Sequence, residues 1–523
     1  MKNPFVRKML GSMVIAMSSL LTFTVSAAEP SVLRMVPSAA LTVLDPVYSN
    51  AYITRDHAYL VFDTLFGTDA NGNIRPQMVD KYTTSKDQLI WTFTLRDGLE
   101  FHDGTPVTSA DVTSSLKRWS SRDAFGGLLA KVIASYEEPD ARTFVIKLKE
   151  PFGVMLSALG KPSSTVPFIM PKRLASVPGT EQMKEIIGSG PYKFVSEEFK
   201  PGERAAYAKN EKYKPRKEPA SGTTGAKIAN FDRIEWIFIR DPQTMISALE
   251  KGEVDLVTQP ASEHYSTLRT LPGVQLVTLT PAGSQLFLRF NHVSKPFDDV
   301  RIRRAAMVAL GQEEMLKTQI GVPGAMRFCV SVWPCGTALS SDNTGFFNGK
   351  ADPTKAARML KEAGYDGTPV VLLRPTDNPS ITKLPLMAKQ QLEEAGFKVN
   401  LQQMDWGSLL ARRSKKDAWS AYMSWWVAAD VANPLVAATA NATGATGWAG
   451  WQDDPQIEQM KVKFARANKM AEQKKIAEAI QLRMIETGSY VPLGQFSLPA
   501  AARKNLSGFV TSDAQVLWGI KRN

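Results

Sequence analysis

The stretch WTFTLRDGLEFHDGTPVTSADVTSSL, residues 91–116, determines the fold that this sequence predicts. At its start the apolar side chains Trp91, Phe93 and Leu95 alternate with threonines and an arginine. Alternation with a period of two is typical of a β-strand that buries one face. The Asp-Gly pair at 97–98 is a turn signal, so the strand is expected to end there.

The rest of the stretch predicts a second strand and a helix. Residues 99–102 form a short segment between two Asp-Gly pairs, and Pro106 prevents further pairing because it lacks a backbone donor. We therefore expect a hairpin. Thr108 followed by Asp111 then predicts a helix start, because a hydroxyl satisfies a free backbone amide and a carboxylate favours the positive helix end.

This stretch resembles the signature of a known family. The pattern W-T-F-x-L-R-x-G-x-x-F-H-D-G-x-P-V-T-x-x-D-V is similar to that of the periplasmic solute-binding proteins of peptide, opine and nickel ABC importers. The element P-F-x-D-x-R-x-R-x-A at 296–305 and the helix opened by Asp352 also resemble the family. The resemblance implies an α/β fold, namely a two-lobe periplasmic binding protein of type II, cluster C, with a hinge and an extra inserted domain.

The resemblance also implies how the chain is divided. A leader precedes lobe I, which is built from three separate segments, while domain II is inserted and lobe III is continuous. The expected ranges are 1–28 for the leader, 29–75, 188–279 and 492–523 for lobe I, 76–187 for domain II, and 280–491 for lobe III. Crossovers near Thr280 and Pro492 would form the hinge.

Strand-helix-strand units favour an α/β fold with parallel strands. One unit is predicted over 234–257, where Asp241 caps the helix, and a second is predicted over 370–401. Two further elements are expected near the N-terminus. Alternation within 31–43 predicts an edge strand, and helical spacing of apolar residues predicts a helix over 52–66.

Residues 1–28 have the features of a secretory signal. Lys2, Arg7 and Lys8 precede an apolar stretch, and small residues follow it. A membrane anchor is the alternative, but serines and threonines interrupt the apolar stretch, which is short for a bilayer span. Because no cysteine lies near the cleavage point, lipid attachment is not expected. We therefore predict a freely diffusing protein of the periplasm.

The formal net charge of the whole chain is +12. The leader contributes three cations and no acids, so the mature chain carries about +9. In a cytosolic protein this charge would suggest nucleic acid as a partner, but export excludes that interpretation. No later stretch has about twenty uninterrupted apolar residues, and 523 residues exceed what one core accommodates. We expect a monomer with two lobes and no membrane span.

The chain has two cysteines, Cys329 and Cys335. In an oxidising compartment a close pair favours a disulfide, which would close a small loop, and a metal site is the alternative. A redox-active pair is not indicated, because that chemistry typically uses C-x-x-C spacing. Trp333 lies inside the loop. The loop is expected either to shape a pocket wall or only to form a surface excursion.

The stretch SWWVAADVANP, residues 424–434, contains the predicted ligand site. Asp430 is a lone carboxylate close to Trp425 and Trp426, and its burial requires a cation or hydrogen bonds. In peptide-binding members of the resembled family an aspartate four residues before a proline receives the peptide's α-ammonium, and Asp430 keeps this spacing to Pro434. The alternative is that Asp430 bonds to nearby amides at a helix start.

The sequence also departs from the peptide-binding pattern. Trp426 lies four rather than three residues before Asp430, and Asn433 stands where the family often has an acid. These departures leave other cargo open, namely an opine or related amino-acid conjugate, an oligosaccharide, or a nickel chelate. Trp448 and Trp451 could stack on a sugar or another ring, and the alternative is a mobile rim.

Four more residues are candidates because of the resemblance. Trp406 and Arg413 keep a seven-residue offset found in oligopeptide receptors, where the pair lines the cleft, and a guanidinium can hold a ligand carboxylate through two hydrogen bonds. The alternatives are a core position for Trp406 and a solvated face for Arg413, which lies in a basic run. Asn50 and Tyr52 lie where peptide receptors offer backbone groups to an extended ligand, and an ordinary loop is the alternative.

These features predict a binding protein rather than an enzyme. The sequence contains no G-x-S-x-G, no H-E-x-x-H and no zinc-type cysteine spacing, and its four histidines are scattered. His102 and Asp103 lie in a turn, where we predict a structural role. We expect no cofactor and no metal. The expected partners are a peptide or small-molecule ligand and an ABC permease with its ATPase at the inner membrane, and an exported hydrolase is the less favoured alternative.

Overall fold

The computed structural model describes residues 30–163, 165–378, 380–417 and 419–523. The predicted leader, residues 1–28, lies outside the described residues. Among the helices described, none combines the length and the apolar character that crossing a bilayer requires.

The described chain is a mixed α/β structure. The strands are β1 Val32–Val36, β2 Asp63–Thr64, β3 Phe66–Thr68, β4 Ile74–Pro76, β5 Val79–Thr84, β6 Ile90–Leu95, β7 Ile133–Glu137, β8 Thr143–Leu148, β9 Phe168–Ile169, β10 Tyr192–Phe194, β11 Arg204–Lys209, β12 Arg233–Ile237, β13 Leu256–Val257, β14 Val274–Val277, β15 Ser284–Phe290, β16 Met326–Arg327, β17 Val370–Pro375, β18 Val399–Met404, β19 Ala421–Val427, β20 Tyr490–Phe496, β21 Ala500–Arg503, β22 Leu506–Ser507 and β23 Lys521–Arg522. The α-helices are α1 Tyr52–Val61, α2 Ser109–Ser120, α3 Ala124–Val132, α4 Met155–Leu159, α5 Lys172–Ala175, α6 Pro242–Lys251, α7 Tyr265–Thr270, α8 Val300–Ala309, α9 Gln312–Gln319, α10 Pro353–Glu362, α11 Leu384–Glu394, α12 Trp406–Arg413, α13 Ala428–Val431, α14 Pro455–Arg466 and α15 Met470–Glu486.

Within the described ranges, one sheet has seven strands in the order β10-β11-β12-β1-β13-β21-β14. The strand-helix-strand unit predicted from 234 onward is confirmed: Asp241 caps α6 by accepting from the Thr244 N–H at 2.7 Å, and β12 and β13 both pair in parallel with β1. The expected edge strand is wrong, because β1 lies in the middle of this sheet. Alternation identifies the strand but cannot show how many neighbours it has.

A second sheet of the described chain has six strands in the order β16-β20-β15-β19-β17-β18. The unit predicted over 370–401 is confirmed, since β17 and β18 pair in parallel and α11 connects them. The chain passes between the two sheets through residues 278–283 and again through 497–499. These passages touch, because the Ser497 hydroxyl donates to the Thr280 carbonyl at 2.7 Å. Pro492 lies inside β20, so the second passage comes after Phe496.

The stretch that determines the fold lies in a four-stranded antiparallel sheet, ordered β5-β6-β8-β7 in the described chain. Strand β6 is confirmed, and Phe93 stacks on Phe144 with ring centroids 4.9 Å apart. Helix α2 is also confirmed, and the Asp111 carboxylate accepts from the Thr108 N–H at 2.8 Å. The predicted second strand is wrong. Residues 99–102 form no strand, and an isolated bridge joins Glu100 and Pro106 instead.

His102 explains why that segment leaves the sheet. Its N–H donates to the Gly188 carbonyl at 2.8 Å, and its ring lies 3.1 Å from the Gly190 carbonyl oxygen. Burial lowers the pKa of His102 to about 4, so the ring is neutral at pH 7. A Cβ on Gly188 would lie 2.0 Å from the Val61 carbonyl oxygen, so only glycine fits there. The structural role predicted for His102 is confirmed.

Helix α1 is shorter than predicted. It ends at Val61, and Asp63 and Thr64 then form β2 instead of continuing into a fourth helical turn. Asp63 is fully buried and accepts from Lys227 at 2.8 Å, with both side chains at most 2% exposed. The backbone is extended at Phe62, and β2 pairs with β9, so contacts distant in sequence take over where the helix ends, before Gly67.

Candidate functional site

A cavity of about 510 Å³, called the central cavity below, opens where separate stretches of the chain meet. Its walls come from some of the residues within 68–74, 125–162, 281–339, 429–473 and 511–513. These stretches lie in the ranges expected for lobe I, domain II and lobe III. The volume falls within the range of about 300–1,000 Å³ that is common for small-ligand sites. Charged and polar lining residues include Asp69, Lys161, Arg327, Asp430, Asn433 and Asp513.

Asp430 lies on the wall of this cavity. It belongs to the short helix α13, which follows β19 directly, and only 4% of the residue is exposed. Its carboxylate accepts a hydrogen bond from the Tyr52 hydroxyl at 2.8 Å. The Tyr52 oxygen in turn accepts from the Val427 N–H at 3.3 Å. Two residues that are 378 positions apart therefore connect α1 to the end of β19.

Arg55 supplies positive charge beside this contact. It lies one turn after Tyr52 in α1, and its Nε and Nη2 donate to the same oxygen of Asp56 at 2.9 and 2.8 Å. Burial opposes its charged form, but the charges of Asp56 and Asp430 raise the pKa of Arg55. The guanidinium is thus charged and lies within the field of Asp430. For Tyr52, burial and the charge of Asp430 raise the pKa well above 10, so the phenol remains a donor.

Asp513 is a second acid at the central cavity. Burial raises the pKa of Asp513, the charge of Arg55 lowers it, and the charge of Asp430 raises it again. Together, burial and the charge of Asp430 outweigh the charge of Arg55, so the pKa of Asp513 is raised. Asp513 and Arg55 were not predicted from the sequence, because neither lies in a motif. An aspartate between Ser512 and Ala514 in a coil segment carries no pattern that could have indicated it.

The tryptophans before Asp430 divide between the two sides of β19. Trp425 packs on Trp406 with ring centroids 6.2 Å apart, and Trp426 packs on Trp448 at 6.1 Å. The Arg413 guanidinium lies 5.9 Å from the Trp406 centroid. None of these five residues lines the described part of the central cavity. The structure thus places them in two separate ring clusters outside the cavity lining, and their contact with ligand stays a prediction.

Two other candidates have different surroundings from those expected. Asn50 is exposed just before α1 and does not line the described central cavity. Trp451 is 7% exposed and packs on Trp419 at 5.9 Å, so it belongs to the core. Both interpretations offered for Trp451, ring stacking and a mobile rim, are therefore wrong. Its position in a glycine-rich segment did not reveal that Trp419 covers it.

The cysteine loop forms part of the cavity wall. The sulfurs of Cys329 and Cys335 lie 2.09 Å apart and the Cα atoms 5.8 Å apart, as in a disulfide. Cys335 and Gly336 line the central cavity, which agrees with the predicted pocket wall. The Cys335 N–H donates to Gln495 at 2.9 Å, so the loop is tied to β20. Among the described residues, no group of three or more His, Cys, Asp or Glu side chains is arranged to hold a metal ion.

Known proteins resemble this chain along nearly its whole length. Residues 73–448 match the family described as bacterial extracellular solute-binding proteins, family 5 Middle. The probable peptide ABC transporter periplasmic-binding protein y4tO of Sinorhizobium fredii (strain NBRC 101917 / NGR234) is 36% identical over 516 residues, which cover 97% of this chain and 96% of that protein. The glutathione-binding protein GsiB of Escherichia coli O1:K1 / APEC is 27% identical over 481 residues, which cover 90% of each chain.

A solved structure has the same overall fold. AgaA from A. tumefaciens R10, in complex with agropinic acid, superposes with a TM-score of 0.74 and 24% sequence identity. The alignment covers 94% of this chain and 99% of AgaA. At this identity the likeness concerns the fold alone.

Proposed function

Since the chain belongs to the bacterial extracellular solute-binding proteins of family 5, we propose that it captures a small peptide in the central cavity and delivers it to an ABC importer. The observation that carries this proposal is the position of Asp430, which lies on the wall of a 510 Å³ cavity bounded by separate stretches of the chain. A ligand there contacts both lobes. No chemical step is required, so we propose a receptor and not an enzyme.

The peptide's amino end is proposed to bind at Asp430. A buried carboxylate is stabilised by an ammonium group, which donates up to three hydrogen bonds. Asp430 keeps the four-residue spacing to Pro434 that peptide-binding members show. The names of the relatives agree with a peptide ligand, since one is a probable peptide-binding protein and the other binds glutathione.

The two lobes are proposed to close around the ligand. The chain has the fold of type II periplasmic binding proteins. The seven-stranded sheet draws its strands from the proposed lobe I segments 29–75, 188–279 and 492–523, and the six-stranded sheet draws its strands from 280–491 and the start of the last segment. Residues 278–283 and 497–499 are the proposed hinge, because they alone connect these sheets in the described chain. Ligand contacts to both lobes favour the closed form.

An opine or another amino-acid conjugate is the second candidate cargo. Asn433 lines the central cavity where peptide-binding members often have an acid, which lowers the negative charge available to a peptide. AgaA shows that this fold also accommodates agropinic acid. Such a ligand would still place a nitrogen at Asp430.

The proposed setting follows from the leader and the family. We propose that residues 1–28 are removed on export and that the mature monomer diffuses freely in the periplasm. The permease with its ATPase at the inner membrane then receives the cargo. The disulfide between Cys329 and Cys335 would form in that oxidising compartment.

Mass spectrometry of the small molecule that copurifies with the mature protein tests the cargo. A short peptide with a free amino end is the expected result. An opine would favour the second candidate. A sugar, or the appearance of cleavage products when peptides are incubated with the protein, would contradict the proposed function.

A further inference from the structure

Within the described chain, the wall of the central cavity contains two cations, Lys161 and Arg327, and they differ in their partners. Lys161 forms an ion pair with Asp123, and both side chains are at most 9% exposed. Arg327 is exposed and forms no ion pair with the carboxylate of a described residue. Its Nη1 donates to the Cys335 carbonyl at 2.9 Å. Arg327 is therefore the cation of this wall that is able to bind a group inside the cavity.

The disulfide loop holds the guanidinium of Arg327 in place. The disulfide joins Cys335 to Cys329, and the Cys335 N–H donates to Gln495 of β20 at 2.9 Å. The position of the Cys335 carbonyl, which accepts from Arg327, is thus fixed from two sides. A Cβ on Gly336 would lie 2.8 Å from the Arg327 Nη1, so the glycine leaves room for the guanidinium. Since a guanidinium has five N–H donors, four remain after the bond to Cys335.

Strand register relates the position of Arg327 to that of Asp430. Arg327 of β16 pairs with Gln495 of β20, which also pairs with Gln285 of β15. Gln285 in turn pairs with Trp426 of β19, four residues before Asp430. Neighbouring strands lie about 4.8 Å apart, so the three steps place Arg327 and Trp426 about 14 Å from each other. An extended chain spans about 3.3–3.6 Å per residue, so three or four residues cover about 10–14 Å.

We propose, on the basis of the proposed function, that Arg327 receives the carboxylate of the ligand and that the disulfide loop positions its guanidinium. A carboxylate accepts two parallel N–H bonds from one guanidinium, and Arg327 retains enough donors for both. The ligand class is therefore narrower than peptides in general. It is a zwitterion of about three or four residues, with its amino end at Asp430 and its free carboxyl end at Arg327. An amidated peptide or a neutral sugar lacks the second group.

Arg413, the candidate that the family resemblance suggested, is less suited to this role. Its guanidinium lies 5.9 Å from the ring centroid of Trp406 and 5.3 Å from that of Tyr422. It does not line the described part of the central cavity, whereas Arg327 does. The sequence did not indicate Arg327, because its place in the sheet depends on β20, which comes much later in the chain.

Arg327→Gln tests the proposal, and Arg75→Gln is the matched control. Arg75 donates to Asp69 of the cavity wall at 3.0 Å, but it does not itself line the described part of the cavity. Calorimetry compares tri-alanine with tri-alanine amide, which has the same amino end and no carboxylate. Arg327→Gln is expected to weaken the affinity for tri-alanine by about tenfold and to leave the affinity for the amide unchanged. Arg75→Gln is expected to bind both peptides as the wild type does.

Removing the disulfide tests how the guanidinium is positioned. In Cys329→Ser/Cys335→Ser the Cys335 carbonyl loses its fixed position, so the affinity for tri-alanine is expected to fall while the amide binds as before. When Arg327→Gln is also present, removal of the disulfide is expected to cause no further loss. A merely structural disulfide would instead weaken the binding of both peptides, with or without Arg327. Urea denaturation checks that each variant is folded.

The outcomes also separate this proposal from the proposed function. If Arg327→Gln binds tri-alanine as tightly as the wild type does, the anchor at Arg327 is rejected while the receptor role stands. The same holds if Arg413→Gln, and not Arg327→Gln, removes the preference for tri-alanine over its amide. If the wild type binds neither peptide, peptide cargo is rejected, and the carboxylate anchor is rejected with it.

Discussion

Two buried charge clusters join distant parts of this chain, and they differ in their access to the central cavity. Arg118 of α2 holds Asp45 through two hydrogen bonds of 3.0 and 2.7 Å, and both side chains are 1% exposed. At the central cavity Asp430 accepts from the Tyr52 hydroxyl, and Arg55, whose pKa the charge of Asp430 raises, donates to Asp56. The Asp45–Arg118 pair is closed to solvent and joins two segments of the chain, whereas Asp430 lies on a cavity wall, where the proposed ligand can reach it.

The largest effect is expected when the Asp45–Arg118 pair is broken. Arg118→Met leaves Asp45 buried without its cation, and removing one partner of a buried ion pair costs about 3–5 kcal/mol. We expect the free energy of unfolding in urea to fall by that amount. The double variant Asp45→Asn/Arg118→Met is the control and should recover part of the loss, because no buried charge remains. If Arg118→Met had the same free energy of unfolding as the wild type, the Asp45–Arg118 pair would not stabilise the fold, and the two clusters would not differ in this respect.

Asp430→Ala is expected to affect binding more than stability. The ammonium of tri-alanine loses a buried carboxylate, which costs about 2–3 kcal/mol and corresponds to a loss of affinity of about 30- to 150-fold. Calorimetry measures this loss, and urea denaturation should show a much smaller change than in Arg118→Met. Asp69→Ala serves as the control on the same wall. An equal loss for N-acetyl-tri-alanine would show that Asp430 does not recognise the amine.

Tyr52→Phe tests the contact between the two proposed lobes. The variant removes the hydroxyl that donates to Asp430 at 2.8 Å. One hydrogen bond of this kind contributes about 1 kcal/mol, and the free energy of unfolding is expected to fall by about that much. Tyr48→Phe is the control, because Tyr48 is 37% exposed. The same stability for both variants would mean that the Tyr52 contact is not made in solution.

The smallest effect is expected in the pH dependence of stability. Burial would raise the pKa of Asp45, but hydrogen bonds from Arg118 and from the Met183 N–H outweigh it and lower the pKa. A carboxyl whose pKa is lowered by folding stabilises the protein above its unfolded pKa, about 3.9, and this contribution is lost as pH falls through the folded value. Urea unfolding at pH 6 and pH 3 should therefore show a smaller acid loss in Asp45→Asn. If Asp45→Asn lost as much stability as the wild type between pH 6 and pH 3, the lowered pKa of Asp45 would not contribute to the acid loss.

Local signals in the sequence predicted the elements that local interactions form. The caps Asp111, Asp241 and Asp352 are read correctly because each bonds within its own first turn. The alternation of β6 is equally local. By contrast, α1 ends early where Asp63 enters β2 and pairs with Lys227, a contact over 164 positions that no local pattern contains.

The candidate site was predictable only in part for the same reason. Tyr52 and Asp430 were each named from the family resemblance, but their contact depends on how two sheets meet. Asp513 had no motif, because it belongs to the site through its position on the cavity wall and not through its neighbours in sequence. Trp451 looked like a loop residue since the tryptophan that covers it, Trp419, lies 32 positions earlier.

The hydrogen bond between Ser497 and Thr280 has a mechanical consequence. If the two passages act as the proposed hinge, the rotation of one sheet against the other has its axis close to this bond, because the passages lie side by side. Atoms near the axis move little, and atoms at the outer tips of the molecule move most. Pro281 and Ala282 of the cavity wall lie next to the axis. A cargo bound near this axis would thus change the spacing of the far tips. The proposed membrane transporter would then sense this change in spacing.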